Sequence, residues 1–193
     1  AGLVAGYVGQ TAPLVPKRFA AADGGVLFVD EAYTLARGNE GDFGREAIDM
    51  MVKLMEDRRD RVVVIVAGYP DEMGDFIATN PGLSSRFART ITFADYATGE
   101  LLDIFDAIAG KNRYHLAPDA RSSLSTHTDA LPRTKGFGNG RYVRNVFEAL
   151  VTAQASRLVA VGDDPTPEAL CQLTTSDVDA ALNALHAEGS LTS

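Results

Sequence analysis

Hydrophobic and polar positions along the chain fall into two regimes. In the first, short apolar runs show no alternation. Gly24 and Gly25 lead into Val26-Leu27-Phe28-Val29, which stops at Asp30-Glu31, and Val62 to Ala67 is a second run that stops at Gly68-Tyr69-Pro70. Such runs predict strands covered on both faces, as in a parallel sheet. Arg89 to Phe93 is a third strand candidate, and residues 3–9 (LVAGYVG) read as a strand end entering a glycine-flanked loop. Between the runs the period changes to that of a helix. From Asp42 to about Arg58, Ile48, Met51, Val52 and Met55 fall at i, i+3, i+4 and i+7, and Asp49 precedes Lys53 by one favourable i,i+4 step. Residues 12–22 and Asp71 to Ala78 predict shorter helices. Pro13 suits a first turn but Pro16 does not, so the first of these is expected to start late or to be distorted.

After Tyr96 the strands stop. Thr98 is placed to cap a helix whose apolar face is Leu101, Leu102, Phe105, Ile108 and Ala109. A shorter helix is expected from Pro118. Arg141 to Val159 reads as a strong helix with Val143, Val146, Phe147, Leu150 and Val151 on one side. Thr174-x-x-Asp177 has the spacing of a capping box for a last helix through His186. The pattern therefore divides the chain into an α/β part with a parallel sheet, residues 1–97, and an all-helical part, residues 98–193.

Composition narrows the classes of function. A net charge of −8 over 193 residues argues against broad binding to a phosphate backbone, which needs a basic face. One cysteine, Cys171, excludes an internal disulfide and a cysteine-based zinc site, and fits a reducing, cytoplasmic setting. No apolar stretch approaches the roughly 18 residues of a membrane span. Ala1 to Gly9 lack the positive charge that opens a signal peptide. The chain starts on Ala1 and reads at once like the middle of a fold, so it is taken as a fragment. His115, His127 and His186 have no metal-ligand spacing and read as surface or cap residues.

The chemistry centres on Asp30-Glu31. A carboxylate at the end of a buried parallel strand faces the ligand crevice of an open α/β sheet. Asp30 suits Mg²⁺ held through water, and Glu31 suits a base for water attacking a phosphate. Two solvated acids closing a strand are also common, and the strand by itself does not choose between the two readings.

Order and company decide. GYVGQTAP, GGVLFVDEAY, DFGREAID, MEDRRDRVVVIVAGYPDEM, NPGLSSRF and FGNGRYVRNVFE follow one another between residue 6 and about residue 148. In this order they resemble the AAA+ ATPases, and within them the CbxX/CfxQ family, which includes red-type Rubisco activases, a type VII (ESX) secretion ATPase and a sporulation ATPase. The resemblance implies an AAA+ α/β subdomain followed by a helical lid, and ATP and Mg²⁺ as cofactors. It implies a homo-oligomeric ring, expected to be a hexamer, that grips or threads a protein client: Rubisco-like, a secretion substrate or another. Asp30 and Glu31 match the Walker B acids. Tyr7, with Val8, matches the pore loop. Arg86 matches the arginine finger; Arg89, one helical turn on, is read first as a surface ion-pair residue and only second as an assistant. Arg141 matches the sensor 2 arginine, with Arg144 in support. Tyr69 stands at the sensor 1 place.

Two features depart from the family pattern. No G-x-x-x-x-G-K-[ST] phosphate loop occurs in the sequence; in the family it lies before the pore loop, so truncation is the expected reason. Leu14-Val15-Pro16 stands where a regular polar helix start is expected. Two other functions stay open at this point. One is a non-catalytic scaffold or adaptor that keeps the ring interface. The other is a DNA-acting AAA+ protein, against which the acidic charge and the pore-loop aromatic both count.

Overall fold

Two apolar runs form the sheet of the first part among the described residues. In a computed structural model that describes residues 11–36, 43–162 and 164–187, β1 (Val26–Val29) pairs in parallel with β2 (Val63–Val66), Val26 opposite Val63 and Val29 opposite Val66. A parallel pair needs a crossover, and α2 (Phe43–Asp57) supplies it. The helical period of α2 buries Ile48 and Met51 completely, beside Ala47. Ahead of β1 runs α1 (Thr11–Ala21), whose Val15 and Phe19 lie in the same core. Pro16 sits inside α1, and the helix begins at Thr11 rather than late. Beyond β2 come α3 (Pro70–Ala78) and α4 (Pro81–Arg86), which add the buried Phe76 and Leu83.

Two expectations about this sheet are overturned. Val26 and Phe28 are 57% and 59% exposed, and Val63 and Ile65 on β2 are exposed as well, so only one face is covered. Helices of the described residues pack on that face alone. Arg89 to Phe93 is extended but pairs with nothing among the described residues, and Phe93 is 90% exposed. Strand-forming composition does not make a strand unless the segment pairs with an edge.

The chain divides into two compact units, residues 1–92 and 93–193. In the second, α5 (Thr98–Lys111), α6 (Pro118–Ala130), α7 (Gly140–Val161), α8 (Pro167–Cys171) and α9 (Thr175–Ala187) enclose a core of Leu101, Phe105, Leu124, Val146, Leu150 and Val178. The unit is not wholly helical. β3 (His115–Leu116) and β4 (Gln172–Leu173) make a two-residue parallel pair, because the extended residues entering α6 and α9 run side by side. Ala97, not Thr98, takes the cap position of α5, and its N–H donates to Glu100 Oε2 at 2.8 Å. The Thr98 hydroxyl instead accepts from Arg133 at 3.2 Å. At α9 only half of the spaced cap forms: Thr174 N–H donates to Asp177 Oδ2 at 2.8 Å, while the Thr174 hydroxyl donates to the same oxygen at 2.8 Å and the Asp177 N–H goes to Thr174 O at 3.1 Å.

Candidate functional site

At the carboxyl end of β1 the backbone ladder runs one step past the strands. Ala67 N–H donates to Val29 O at 2.9 Å and Ala32 N–H to Ala67 O at 3.1 Å. These bonds tie the turn that carries Asp30 and Glu31 to the end of β2. Both acids are exposed. Glu31 adopts the left-handed conformation, φ 48° and ψ 46°, unusual for a residue with a Cβ. Its N–H donates to Asp30 Oδ1 at 3.1 Å, and a 3₁₀ turn, Ala32–Leu35, follows directly. Buried Ala32, Tyr33 and Leu35 anchor that turn, so the two acids project from a fixed base. Hard carboxylate oxygens at such a place fit a hydrated Mg²⁺.

Across the same sheet end, Gly68 lets β2 pass under the Tyr33 ring. A Cβ there would lie 2.8 Å from two Tyr33 ring carbons and 2.9 Å from Met73 Sδ. Tyr69 follows at the N-cap of α3, with 42% of its surface exposed.

Arg86 ends α4, a helix held by its first residues. Asn80 Oδ1 accepts from Gly82 N–H at 2.7 Å, Pro81 fills the first position, and Asn80 Nδ2 donates to Asp49 Oδ1 on α2 at 2.7 Å. The Arg86 guanidinium lies along its own helix, donating to Gly82 O at 3.2 Å and to Glu56 Oε2 on α2 at 3.1 Å. Phe87 packs partly against the core beside it. Arg89 lies beyond the end of α4, in the extended segment, so it is not one helical turn from Arg86.

In the second unit Arg141 and Arg144 both point to solvent from the first turns of α7, while Tyr142, Val143, Val146 and Phe147 face the core. Tyr142 meets Thr128 at 3.2 Å inside that core, and burial pushes its phenol up despite the Thr128 hydrogen bond and Arg133. Tyr7 and Val8 lie outside the described residues.

Three arrangements had no mark in the sequence. His127 and His186 are not apart but stack edge to face at 5.3 Å, and burial, with His186 nearby, lowers the His127 imidazole. Asp177 is 1% exposed and takes two bonds from Arg157, at 2.7 and 3.0 Å. Burial alone would raise its carboxyl, but the Arg157 and Thr174 hydrogen bonds outweigh that and it titrates below the usual carboxylate range. The third is Asn139, ahead of α7, whose side-chain amide bonds to Tyr96, Asp95 and Phe137.

A short parallel sheet with acids at its carboxyl end, followed by a separate helical unit, makes an α/β module with a helical lid. Residues 1–95 match the ATPase family associated with various cellular activities (AAA), and residues 97–188 match the AAA lid domain. The chain belongs to the AAA+ ATPases, as an α/β portion with its helical lid, and within them to the CbxX/CfxQ type. It is 41% identical over 181 residues to Stage V sporulation protein K of Bacillus subtilis (strain 168), covering 92% of this chain and 56% of that protein. It is 39% identical over 181 residues to Protein CbbX of Cereibacter sphaeroides, covering 93% of this chain and 59% of that protein. The chain thus spans rather more than half the length of the curated relatives it matches. Among solved structures, the FIGL-1 AAA domain in complex with ADP shares the fold, with TM-score 0.65, 16% identity, and coverage of 94% of this chain and 59% of that one.

Proposed function

We propose that the protein carrying this chain is an ATP-hydrolysing ring that remodels a protein client. The observation that carries this reading is the acidic turn after β1: two exposed carboxylates, bonded across to β2, with Glu31 held in a strained backbone that its neighbours maintain. Asp30 would hold Mg²⁺, and Glu31 would take the proton from the water that attacks the terminal phosphate. Mg²⁺, when bound, offsets negative charge on the phosphates. Tyr69, at the N-cap of α3 just past β2, would serve as the sensor 1 residue.

Arg86 supplies positive charge to the nucleotide of the adjacent subunit. Its helix ends at the surface, and a planar guanidinium suits charge building on a phosphate. Arg141, helped by Arg144, acts from the lid on the nucleotide of its own subunit. Tyr7 and Val8 grip the client polypeptide. The phosphate cradle is not among these 193 residues, so the chain by itself is expected to hydrolyse no ATP. The bare face of the β1–β2 sheet is the surface that further sheet and helix of the whole protein would cover. No helix among the described residues is long and apolar enough to cross a membrane.

The test is Glu31→Gln in the whole protein. The amide keeps size and shape but takes no proton, so nucleotide still binds while hydrolysis falls by roughly two to four powers of ten. Turnover at the parent rate would remove Glu31 as the base. A parent protein that binds clients yet hydrolyses no ATP would be a scaffold instead.

A further inference from the structure

The chain enters the helical unit through an extended stretch that ends at Ala97, and its last residues are held by a side chain more than forty positions away. Asn139 Oδ1 accepts from Tyr96 N–H at 2.9 Å. Asn139 Nδ2 donates to Asp95 Oδ1 at 2.7 Å and to Phe137 O at 3.1 Å. Both amide hydrogens and the amide oxygen are therefore engaged.

Asparagine before a helix ordinarily turns its side chain back to accept from the first free backbone N–H groups. Asn139 occupies the N-cap position of α7 and makes no such bond. Its side chain faces the entering segment instead. The backbone bends to allow this, at φ 42° and ψ −108°, away from both helical and extended wells. The loop around it is firmly seated: Phe137 is buried, its ring 5.4 Å from Tyr142 and 4.5 Å under the Arg133 guanidinium. Arg141 N–H donates to Gly138 O at 2.7 Å and Val143 N–H to Asn139 O at 3.1 Å, so the first turn of α7 grows directly out of this seat.

We infer that Asn139 is a positioning residue, clipping the segment Asp95–Tyr96 to the first turn of α7 so that Arg141 moves with the linker as one piece. The inference rests on the reading of Arg141 as a group that acts on nucleotide. Without the clip, linker and helix end are free to slide past each other, and Arg141 loses its fixed distance from the linker. Small displacements of a positioned charge lower the rate of the chemical step more than they lower binding.

The experiment uses the whole protein. Asn139→Gly accepts the positive φ and removes only the three side-chain bonds. It is expected to melt near the parent temperature, keep its KM for ATP within about threefold, and lose about 10- to 100-fold in kcat. Hydrogen exchange at the Tyr96 amide, which loses its acceptor, should quicken by tenfold or more, on the order expected when a protected amide opens locally. Asn139→Asp alone sets two carboxylates against each other and should be at least as impaired. Combined with Asp95→Asn, the donor returns from the opposite side and the Tyr96 N–H keeps an acceptor, so kcat should recover most of the loss, the signature of a coupled pair. Unchanged Tyr96 exchange in Asn139→Gly, or unchanged kcat where Arg141→Ala is strongly impaired, overturns the inference. So does a swap that restores nothing. If Arg141→Ala itself turns over normally, the reading of Arg141 has failed, and the clip's role in turnover falls with it.

Discussion

Arg86→Ala tests the least local part of the proposed mechanism, because the effect has to appear in the neighbouring subunit. In the single chain the guanidinium is paired with Glu56 at 3.1 Å, and the Glu56 side chain is 54% exposed. A pair that open to solvent contributes roughly 0.2–1 kcal/mol, so releasing it slows nothing by more than about fivefold. Charge supplied across an interface in phosphoryl transfer is worth about three to five powers of ten, or about 4–7 kcal/mol of barrier. A neighbouring phosphate therefore outcompetes Glu56 easily. Arg86→Ala should lower hydrolysis by those powers of ten, and Glu56→Gln by no more than about fivefold. Subunit mixing separates cis from trans. Rings assembled from equal parts of Arg86→Ala and Glu31→Gln protein contain intact pairs at about a quarter of their head-to-tail interfaces if assembly is random, and activity should return in that measure. Replacing Arg86→Ala by Arg141→Ala should give no return, because intact Glu31 and intact Arg141 then never share a subunit. No recovery in the first mixture, with subunit exchange verified, refutes the trans role; equal recovery in both refutes the distinction between the two arginines.

Three further changes probe the supports of the site. Arg157→Leu leaves the buried Asp177 carboxylate without its cation and should cost the lid about 3 kcal/mol in urea unfolding at neutral pH. Asp177 titrates low when folded, so its contribution is present above the unfolded carboxyl value of about 3.9 and is lost as pH falls through the lower folded value. The variant's deficit should accordingly shrink in acid, and a deficit independent of pH would contradict the assignment. Gly68→Ala drives a methyl into Tyr33 and Met73 and should destabilise the first unit by about 1–3 kcal/mol, read as a lower midpoint in thermal unfolding. Asn80→Ala removes the cap of α4 and its tie to Asp49, and should cost about 1 kcal/mol while raising the KM of nothing that Arg86 does not touch.

What the sequence disclosed and what it hid divide along physical lines. Val26–Val29 and Val63–Val66 were legible because short uninterrupted apolar runs bounded by glycine fit few environments besides a parallel sheet. The faces of α2, α5 and α7 were legible from period alone, and Asp30-Glu31 from its place at a strand end. Arg89 to Phe93 misled because a strand exists only with a partner edge, and no property of the five residues reports whether one is there. Thr98 misled because Glu100 reaches back to Ala97 and takes the cap for itself. Glu31's left-handed backbone, the His127–His186 stack and the Asn139 bonds depend on groups distant in sequence, so nothing local announces them.

The uncovered side of the β1–β2 pair has a consequence for the chain as a material. Val26, Phe28, Val63 and Ile65 form an apolar pleated patch whose borders carry no further strand among the described residues, which is what one β-surface needs to recruit another. Left bare, such a patch is expected to be adhesive. At high concentration in isolation it should associate through this patch before it loses any helix, with light scattering rising while the circular dichroism of the lid is unchanged. The strength with which these strands ask for cover is also what would hold a neighbouring layer fast, so that cohesion in the whole protein and stickiness in the part are the same property measured in two settings.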